Sequence, residues 1–322
     1  MNNPLTYLCT VGALLSCLFS SCSHQELMTP DKIGPSYLVL EVNSGRVLYS
    51  SKAGVKRPIS MLTNLATAVV VMDWVKAYQV DMNRLITVPE EALRWQRTNL
   101  LQLQAGDSIS VRDALYSTLM WDDSASATTL AYACGSNLSS QDPEGAFIAQ
   151  MNNLARKLGM TSTVFKGSNG ASLTQSSAQD LALLGIYAVN DTELIAITSQ
   201  PGCKVTIHTP RGKRIQVIEN KNLLIDKKKK GHVDGLKAGQ SNSAGSCLIA
   251  TAHRPSVKRI NPATGKEATS AQRLLVVILG MPTSNARFSV GAGFLRNGWN
   301  AWEAWLPTND YMDRTKFIIL PN

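Results

Sequence analysis

Serine, lysine and carboxylate side chains are the groups of this 322-residue chain that could support hydrolysis, and their spacing decides whether they can act together. A serine at the start of a helix with a lysine three residues later forms a nucleophile and a base, because the hydroxyl and the ammonium then lie one turn apart on one face. No Ser-x-x-Lys occurs anywhere in the chain, and Ser60 has Thr63 at its i+3 position. The linear sequence therefore lacks a nucleophile and base pair of this kind.

Three segments resemble motifs of the D-alanyl-D-alanine carboxypeptidases, the low-molecular-mass penicillin-binding proteins. Arg57 to Ala68, RPISMLTNLATA, is similar to the family's Pro-Ala-Ser-Leu-Thr-Lys-Leu-Met-Thr-Ala segment. Leu115 to Ala131, LYSTLMWDDSASATTLA, resembles the helical segment around Ser-Gly-Asn. His232 to Arg254, HVDGLKAGQSNSAGSCLIATAHR, resembles the strand that carries Lys-Thr-Gly. The resemblance follows the family's order from about residue 35 to residue 299, as a multi-motif match should.

The resemblance places the family's nucleophilic serine on Met61 and its lysine on Asn64. A methionine thioether has no proton to lose, and an asparagine amide cannot act as a general base near neutral pH. In the second motif the serine becomes Asp122 and the asparagine becomes Ser124. A carboxylate at Asp122 could accept a proton, but it would repel the terminal carboxylate of a substrate.

The third motif reads Lys237-Ala238-Gly239, and the resemblance implies that these residues bind substrate. The lysine and the glycine are present, but Ala238 lacks the threonine hydroxyl that contacts the ligand carboxylate in the family. Two interpretations of Lys237 stay open. Its ammonium either still binds an anionic ligand or pairs with Asp122 or its neighbour Asp123.

Two functions follow from the resemblance. The first is a non-catalytic envelope protein of peptidoglycan metabolism that binds stem peptides or a cell-wall enzyme without hydrolysing them. The second is an active serine-type D-Ala-D-Ala carboxypeptidase with an unconventional nucleophile such as Ser60. Four altered motif positions favour the first, since nucleophile and base act as a unit.

The expected fold is the serine β-lactamase-like and transpeptidase-like α/β (α+β) class, with an antiparallel five-stranded sheet flanked by helices and an all-helical part. The hydrophobic pattern predicts a hairpin over Tyr37 to Tyr49 and a helix that ends at Leu158-Gly159. It predicts a helix N-cap at Ser176 or Ser177, and strands over Val205 to Val217 and Leu248 to Leu279 that return to the first sheet. One domain over residues 35–299 is expected, with residues 300–322 packed on it.

The first 22 residues differ from the rest, since Leu8 to Phe19 is an uncharged apolar run too short to span a bilayer as a helix. The run ends in Phe19-Ser20-Ser21-Cys22, which resembles a lipobox, so we expect a signal peptide, lipidation at Cys22 and a tether over residues 23–34. An ordinary, non-lipidated signal peptide is the alternative. The lipid anchor would hold the protein at the membrane in the cell envelope, facing the periplasm.

The net charge of +9 includes the block Lys227 to Lys230, which indicates a solvated loop or an attraction to anionic wall polymers or lipid headgroups. Nucleic acid is not expected as a partner, because the chain is predicted to be exported. The four histidines form no cluster with cysteine or carboxylate, so neither a metal nor another cofactor is expected. Cys134, Cys203 and Cys247 would remain after export, and a buried free thiol is predicted for Cys247.

Overall fold

The computed structural model describes residues 34–94, 98–225, 233–260, 265 and 267–305. The segment predicted to be a signal peptide, Cys22, Lys227 to Lys230 and the residues after 305 lie outside them.

The main sheet consists of five strands, which are β1 (Ser36–Glu41), β2 (Val47–Ser51), β9 (Val233–Ser241), β10 (Gly245–Ile260) and β11 (Glu267–Met281). They are antiparallel in the order β2-β1-β11-β10-β9, which confirms the expected fold class. The predicted hairpin is confirmed, with Tyr37 opposite Ser51. Gly45 has a φ of 71° in its turn, a conformation that glycine adopts without steric cost.

A second sheet of four strands corrects one prediction. Its strands are β4 (Leu85–Thr87), β5 (Ser108–Ser110), β7 (Gly202–Thr209) and β8 (Gly212–Glu219), and they lie in that order. The strands predicted over Val205 to Val217 are present, but β7 pairs with β5 and with β8, and neither strand returns to the main sheet. An alternating pattern shows that one face of a strand is buried, but it does not show against which element. Two short strands, β3 (Arg57–Pro58) and β6 (Gln175–Ser176), pair with each other.

The helices surround the main sheet on both sides. In chain order they are α1 (Thr63–Tyr78), α2 (Val111–Met120), α3 (Ser124–Gly135), α4 (Pro143–Leu158), α5 (Ala178–Ala188), α6 (Thr192–Thr198) and α7 (Ser284–Trp305). The predicted caps are confirmed. Gly159 ends α4 with a φ of 75°, and the Ser177 side chain accepts a hydrogen bond from the Asp180 amide at the start of α5.

Two apolar cores lie on opposite faces of the main sheet, because alternate strand residues point to opposite sides. Leu38, Ile249 and Val277 belong to the core that α1 to α6 share. Val39, Leu248 and Val276 pack with Phe288, Trp299 and Trp302 of α7. The boundary predicted after residue 299 therefore falls inside a helix, and the fully buried Trp302 joins the core of the same unit.

Among the described residues, no single helix is long and apolar enough to cross a membrane. The helices α5 and α6 reach that length and composition only as a pair bent by 109°.

Candidate functional site

A 3₁₀ turn, Ser60–Leu62, leads into α1 and lies against β9. Met61 in this turn is only 6% exposed, and Asn64, one helical turn later, is fully buried. Two glycines make room for Met61. A Cβ added to Gly170 would lie 2.6 Å from the Met61 Cα, and one added to Gly239 would lie 2.8 Å from the Met61 Cβ. Met61 is thus packed between the loop of Gly170 and strand β9.

Ser60, the alternative nucleophile, is buried in the same turn with a positive φ of 48°. Its hydroxyl donates a hydrogen bond of 3.1 Å to the carbonyl of Gln240 on β9. A backbone carbonyl cannot take the proton from a hydroxyl, so this contact does not activate Ser60.

Lys237 projects from β9 into the core and is 1% exposed. Its ammonium donates to the carbonyl of Leu119 at 2.8 Å and to the carboxylate of Asp122. The other carboxylate oxygen of Asp122 lies 3.5 Å from the ammonium of Lys221. Burial lowers the pKa of Lys237, and the neighbouring Asp122 opposes that shift. Of the two interpretations of Lys237, the geometry matches pairing with Asp122.

Asn64 and Lys237 both bind the last turn of α2. The Asn64 amide donates to the carbonyl of Thr118 at 3.2 Å, next to the Leu119 carbonyl that accepts from Lys237. The last carbonyls of a helix have no partner within the helix and carry its negative dipole end, which favours a cation such as Lys237. The two side chains therefore fasten α2 to α1 and to β9.

The segment from Leu115 to Ala131 is two helices, not one, because α2 ends at Met120 and α3 begins at Ser124. Asp122 in the break has a φ of 63°, which turns its carboxylate toward Lys237. Asp123 caps α3 and also accepts from the amides of Leu100 and Leu101. Burial raises the pKa of Asp123.

The remaining predicted site residues have other neighbours. The Ser124 hydroxyl lies 2.8 Å from that of Thr98. Ala238 packs in the core on the α7 side of the sheet, opposite to Lys237. Gly239 contacts Met61, and its carbonyl accepts from Arg287 of α7. The structure thus brings together Met61, Asn64, Asp122, Lys237 and Gly239, but not Ser124 or Ala238.

Sequence reasoning missed Lys221, Gly170 and Arg287. Lys221 stands in the run Asn220 to Leu224 and Gly170 in the segment after Ser168, and both segments resemble the family. Their proximity to Lys237 and Met61 depends on tertiary packing. Arg287 belongs to a helix for which the sequence shows no motif, and burial lowers its pKa.

The three described cysteines are free. Cys247 is fully buried in β10, as predicted, and burial raises its thiol pKa to about 11.

A separate cavity of about 340 Å³ lies along α1, far along the helix from Met61. Trp74, Tyr78, Leu138 and Leu154 supply apolar walls, and Asp73 and Lys157 are among its charged lining residues.

Comparison with known proteins identifies the family. The D-alanyl-D-alanine carboxypeptidase model matches residues 24–264, so the chain belongs to that family. D-alanyl-D-alanine carboxypeptidase DacC of Escherichia coli is 28% identical over 297 residues, which cover 88% of this chain and 66% of DacC. A D-alanyl-D-alanine endopeptidase of Pseudomonas aeruginosa is 30% identical over 217 residues, or 66% of this chain and 65% of the relative. The chain spans about two thirds of the length of these relatives.

Solved structures show the same fold. The crystal structure of the Streptomyces K15 DD-transpeptidase matches with a TM-score of 0.70 at 21% identity, covering 82% of this chain and 96% of that one. Penicillin-binding protein D2 of Listeria monocytogenes, in its cefotaxime-bound form, matches with a TM-score of 0.62 at 26% identity, covering 82% and 96%. The protein is a relative of the serine D-Ala-D-Ala carboxypeptidases of peptidoglycan metabolism with the penicillin-binding-protein fold.

Proposed function

We propose that this protein is a non-catalytic member of the carboxypeptidase family that acts in the cell envelope by binding peptidoglycan stem peptides or a cell-wall enzyme. The observation that carries the proposal is the packing of Met61 between Gly170 and Gly239. On the proposed register, this thioether stands where an acyl-enzyme would have to form, and it has no proton to lose.

The environment of Lys237 supports the proposal. Its ammonium is buried and already donates to Asp122 and to the Leu119 carbonyl. A substrate carboxylate would have to displace Asp122, and it would then face that like charge across the site. Recognition of stem peptides would therefore use contacts other than those of Lys237.

The alternative is an active carboxypeptidase with Ser60 as the nucleophile. Ser60 is the hydroxyl nearest to the expected position in sequence, but it donates to the Gln240 carbonyl instead of to a base. Under this alternative the Ser60 hydroxyl would have to rotate away from Gln240 and find a base on substrate binding.

Incubation of the full chain with a fluorescent penicillin distinguishes the two functions, with penicillin-binding protein D2 of Listeria monocytogenes, solved in its cefotaxime-bound form, as the positive control. We expect no covalent label on this protein and no D-alanine release from stem-peptide mimics. A hydroxylamine-sensitive adduct that disappears in Ser60→Ala would establish the alternative.

Binding is tested separately by sedimentation with purified sacculi and by capture of cross-linked cell-wall enzymes. We expect the full chain to sediment with sacculi or to recover such an enzyme. Absence of both would contradict the binding role even if no label forms.

The proposed location rests on Phe19-Ser20-Ser21-Cys22, which lies outside the described residues. Lipidation at Cys22 would place the domain at the outer face of a membrane, close to the wall. The positive net charge of +9 is compatible with anionic wall polymers or headgroups as neighbours.

A further inference from the structure

We propose that two copies of this chain form a symmetric dimer by antiparallel pairing of their β8 strands. This interface is independent of the proposed function. In the part of the chain that the structure describes, β8 lies at the edge of the four-stranded sheet and pairs only with β7. An edge strand presents a row of backbone donors and acceptors that another strand can use.

The outer face of β8 is unusually apolar for a strand at such an edge. Ile215 is 62% exposed and Val217 is 61% exposed, and the two alternate along the same face. The exposed residues Lys213 and Glu219 stand at either end of this pair. Exposed β-branched residues on an edge strand are usually avoided because they invite pairing with another chain.

The sequence of this face is self-complementary in one antiparallel register. With Gln216 opposite Gln216 of the second copy, Ile215 faces Val217 and Lys213 faces Glu219. A two-fold axis makes each of these pairs occur twice. The contact would thus contain two apolar cross-strand pairs at its centre and two opposite-charge pairs at its ends, both of which stabilise antiparallel strands.

Neighbouring antiparallel registers are less favourable. A shift of two residues that sets Ile215 opposite Ile215 would put Lys213 opposite Val217 and leave Glu219 without a partner strand. The opposite shift sets Val217 opposite itself and Ile215 opposite Glu219. A charged residue opposite an apolar one loses both the ion pair and the apolar contact, so the pattern specifies the Gln216-centred register.

The second copy explains this face better than an unrelated peptide does, because the charge pattern complements itself. Arg214, on the other face of the strand, donates to the carbonyls of Leu101 and Gln102 of its own chain. It therefore remains bound within each copy and does not bring a cation to the apolar centre. The resulting sheet would have eight strands across the two-fold axis, twice the four strands of each copy.

A cysteine at the axis tests the register directly. Opposed residues in an antiparallel pair have Cα atoms about 4.5–5.5 Å apart, which is within the range of a disulfide. Gln216→Cys in the full chain should form a disulfide-linked dimer under mild oxidation, seen on a non-reducing gel. Lys213→Cys is the control, because six residues separate it from its own symmetry mate along the paired strands, or roughly 20 Å.

Charge exchange tests the same interface without cysteine chemistry. Lys213→Glu and Glu219→Lys should each weaken the dimer by about fourfold or more in sedimentation velocity, since each turns two attractive pairs into repulsive ones. The double variant should restore wild-type association. Restoration also shows that the single variants fold, and circular dichroism confirms it.

A monomeric wild-type chain throughout the micromolar range would overturn the proposal. So would equal cross-linking of the Gln216→Cys and Lys213→Cys variants, or a double charge variant that stays as weak as the single ones. Binding of an unrelated peptide to a monomeric chain at β8 would replace the second copy with a different partner and would also refute the dimer.

Discussion

Replacement of Asp122 by asparagine should destabilise the fold strongly, because it leaves the buried ammonium of Lys237 without a counter-charge. Lys237 is 1% exposed, and its remaining partners would be two neutral oxygens, the Leu119 carbonyl and the amide oxygen of the new side chain. Removing one partner of a buried ion pair typically costs about 3–5 kcal/mol of unfolding free energy. For a domain of this size that corresponds to a fall in Tm of roughly 5–10 °C.

Removal of the lysine, the other partner of the ion pair, should destabilise the fold less. Lys237→Met leaves Asp122 beside the ammonium of Lys221 at 3.5 Å, so the carboxylate keeps a partner. We expect a loss of about 1–3 kcal/mol, mostly from the polar groups that lose the lysine donor. The double variant Asp122→Asn with Lys237→Met should recover much of the stability lost in Asp122→Asn alone, because it removes both charges.

The stability of the Asp122→Asn variant should also depend on pH. Burial lowers the folded-state pKa of Lys237 below the ordinary lysine value of 10.5, and loss of Asp122 removes the contribution that opposes this shift. The unfolded chain then binds more protons than the folded one at alkaline pH, so stability rises with pH in that range. The stability that Asp122→Asn loses should therefore be partly regained as the pH rises above the lowered pKa of Lys237 toward the ordinary lysine value of 10.5.

Urea and thermal unfolding of the wild type, Asp122→Asn, Lys237→Met and the double variant measure these differences in stability. Asp107→Asn is the matched control, because Asp107 is also buried, at 3% exposure, and its carboxylate accepts from the Gln104 amide through one oxygen, which asparagine can keep. It should cost no more than about 2 kcal/mol. An Asp122→Asn variant as stable as the wild type at neutral pH would refute the buried ion pair.

Four further predictions test other parts of the site and of the molecule. Met61→Ser with Asn64→Lys should gain slow acylation by a fluorescent penicillin that neither single variant shows. A crystal structure of the double variant in which both new side chains point away from Lys237 would contradict the proposed positions. Gly170→Ala should lower Tm, because its Cβ would lie 2.6 Å from the Met61 Cα. Gly293→Ala in α7 is the control and should be neutral or stabilising, because no atom lies within 4 Å of its added Cβ. Equal effects of the two variants on Tm in differential scanning calorimetry would refute this packing. Cys134 and Cys247 should resist alkylation near neutral pH until the chain unfolds, because burial raises their pKa values to about 12 and about 11; mass spectrometry that finds rapid labelling in the folded protein would contradict it. Cys22→Ser should move the protein out of the detergent phase or leave it unprocessed, and an unchanged mass and partition would exclude lipidation there.

Local patterns were sufficient to predict the parts of the fold that depend on neighbouring residues. The hairpin at Asn43-Ser44-Gly45, the glycine end of α4 and the serine cap of α5 were all predicted correctly, because each depends on residues within one turn. The pairing of β7 and β8 was assigned to the wrong sheet, since their alternating pattern is the same in either position.

The site was only partly predictable for a related reason. The resemblance named Met61, Asp122 and Lys237, but the direction of the Asp122 carboxylate depends on the break between α2 and α3. That break gives Asp122 a positive φ, which aspartate adopts more readily than most residues but which no local signal required here. The pairing of Asp122 with Lys237, left open by the sequence, follows from this conformation.

The retained lysine is not by itself evidence that the site still binds an anion. Lys237 has two partners inside the protein, a carboxylate and a carbonyl at the negative end of α2. Together with Asn64 it connects α2, α1 and β9 at one point. If a neutral residue replaced Lys237, the Asp122 carboxylate would depend on the ammonium of Lys221 as its counter-charge. Without that ion pair, Asp122 would have to be replaced as well. The ammonium of Lys237 is therefore accounted for by its partners within the protein, and its presence does not require a bound anion.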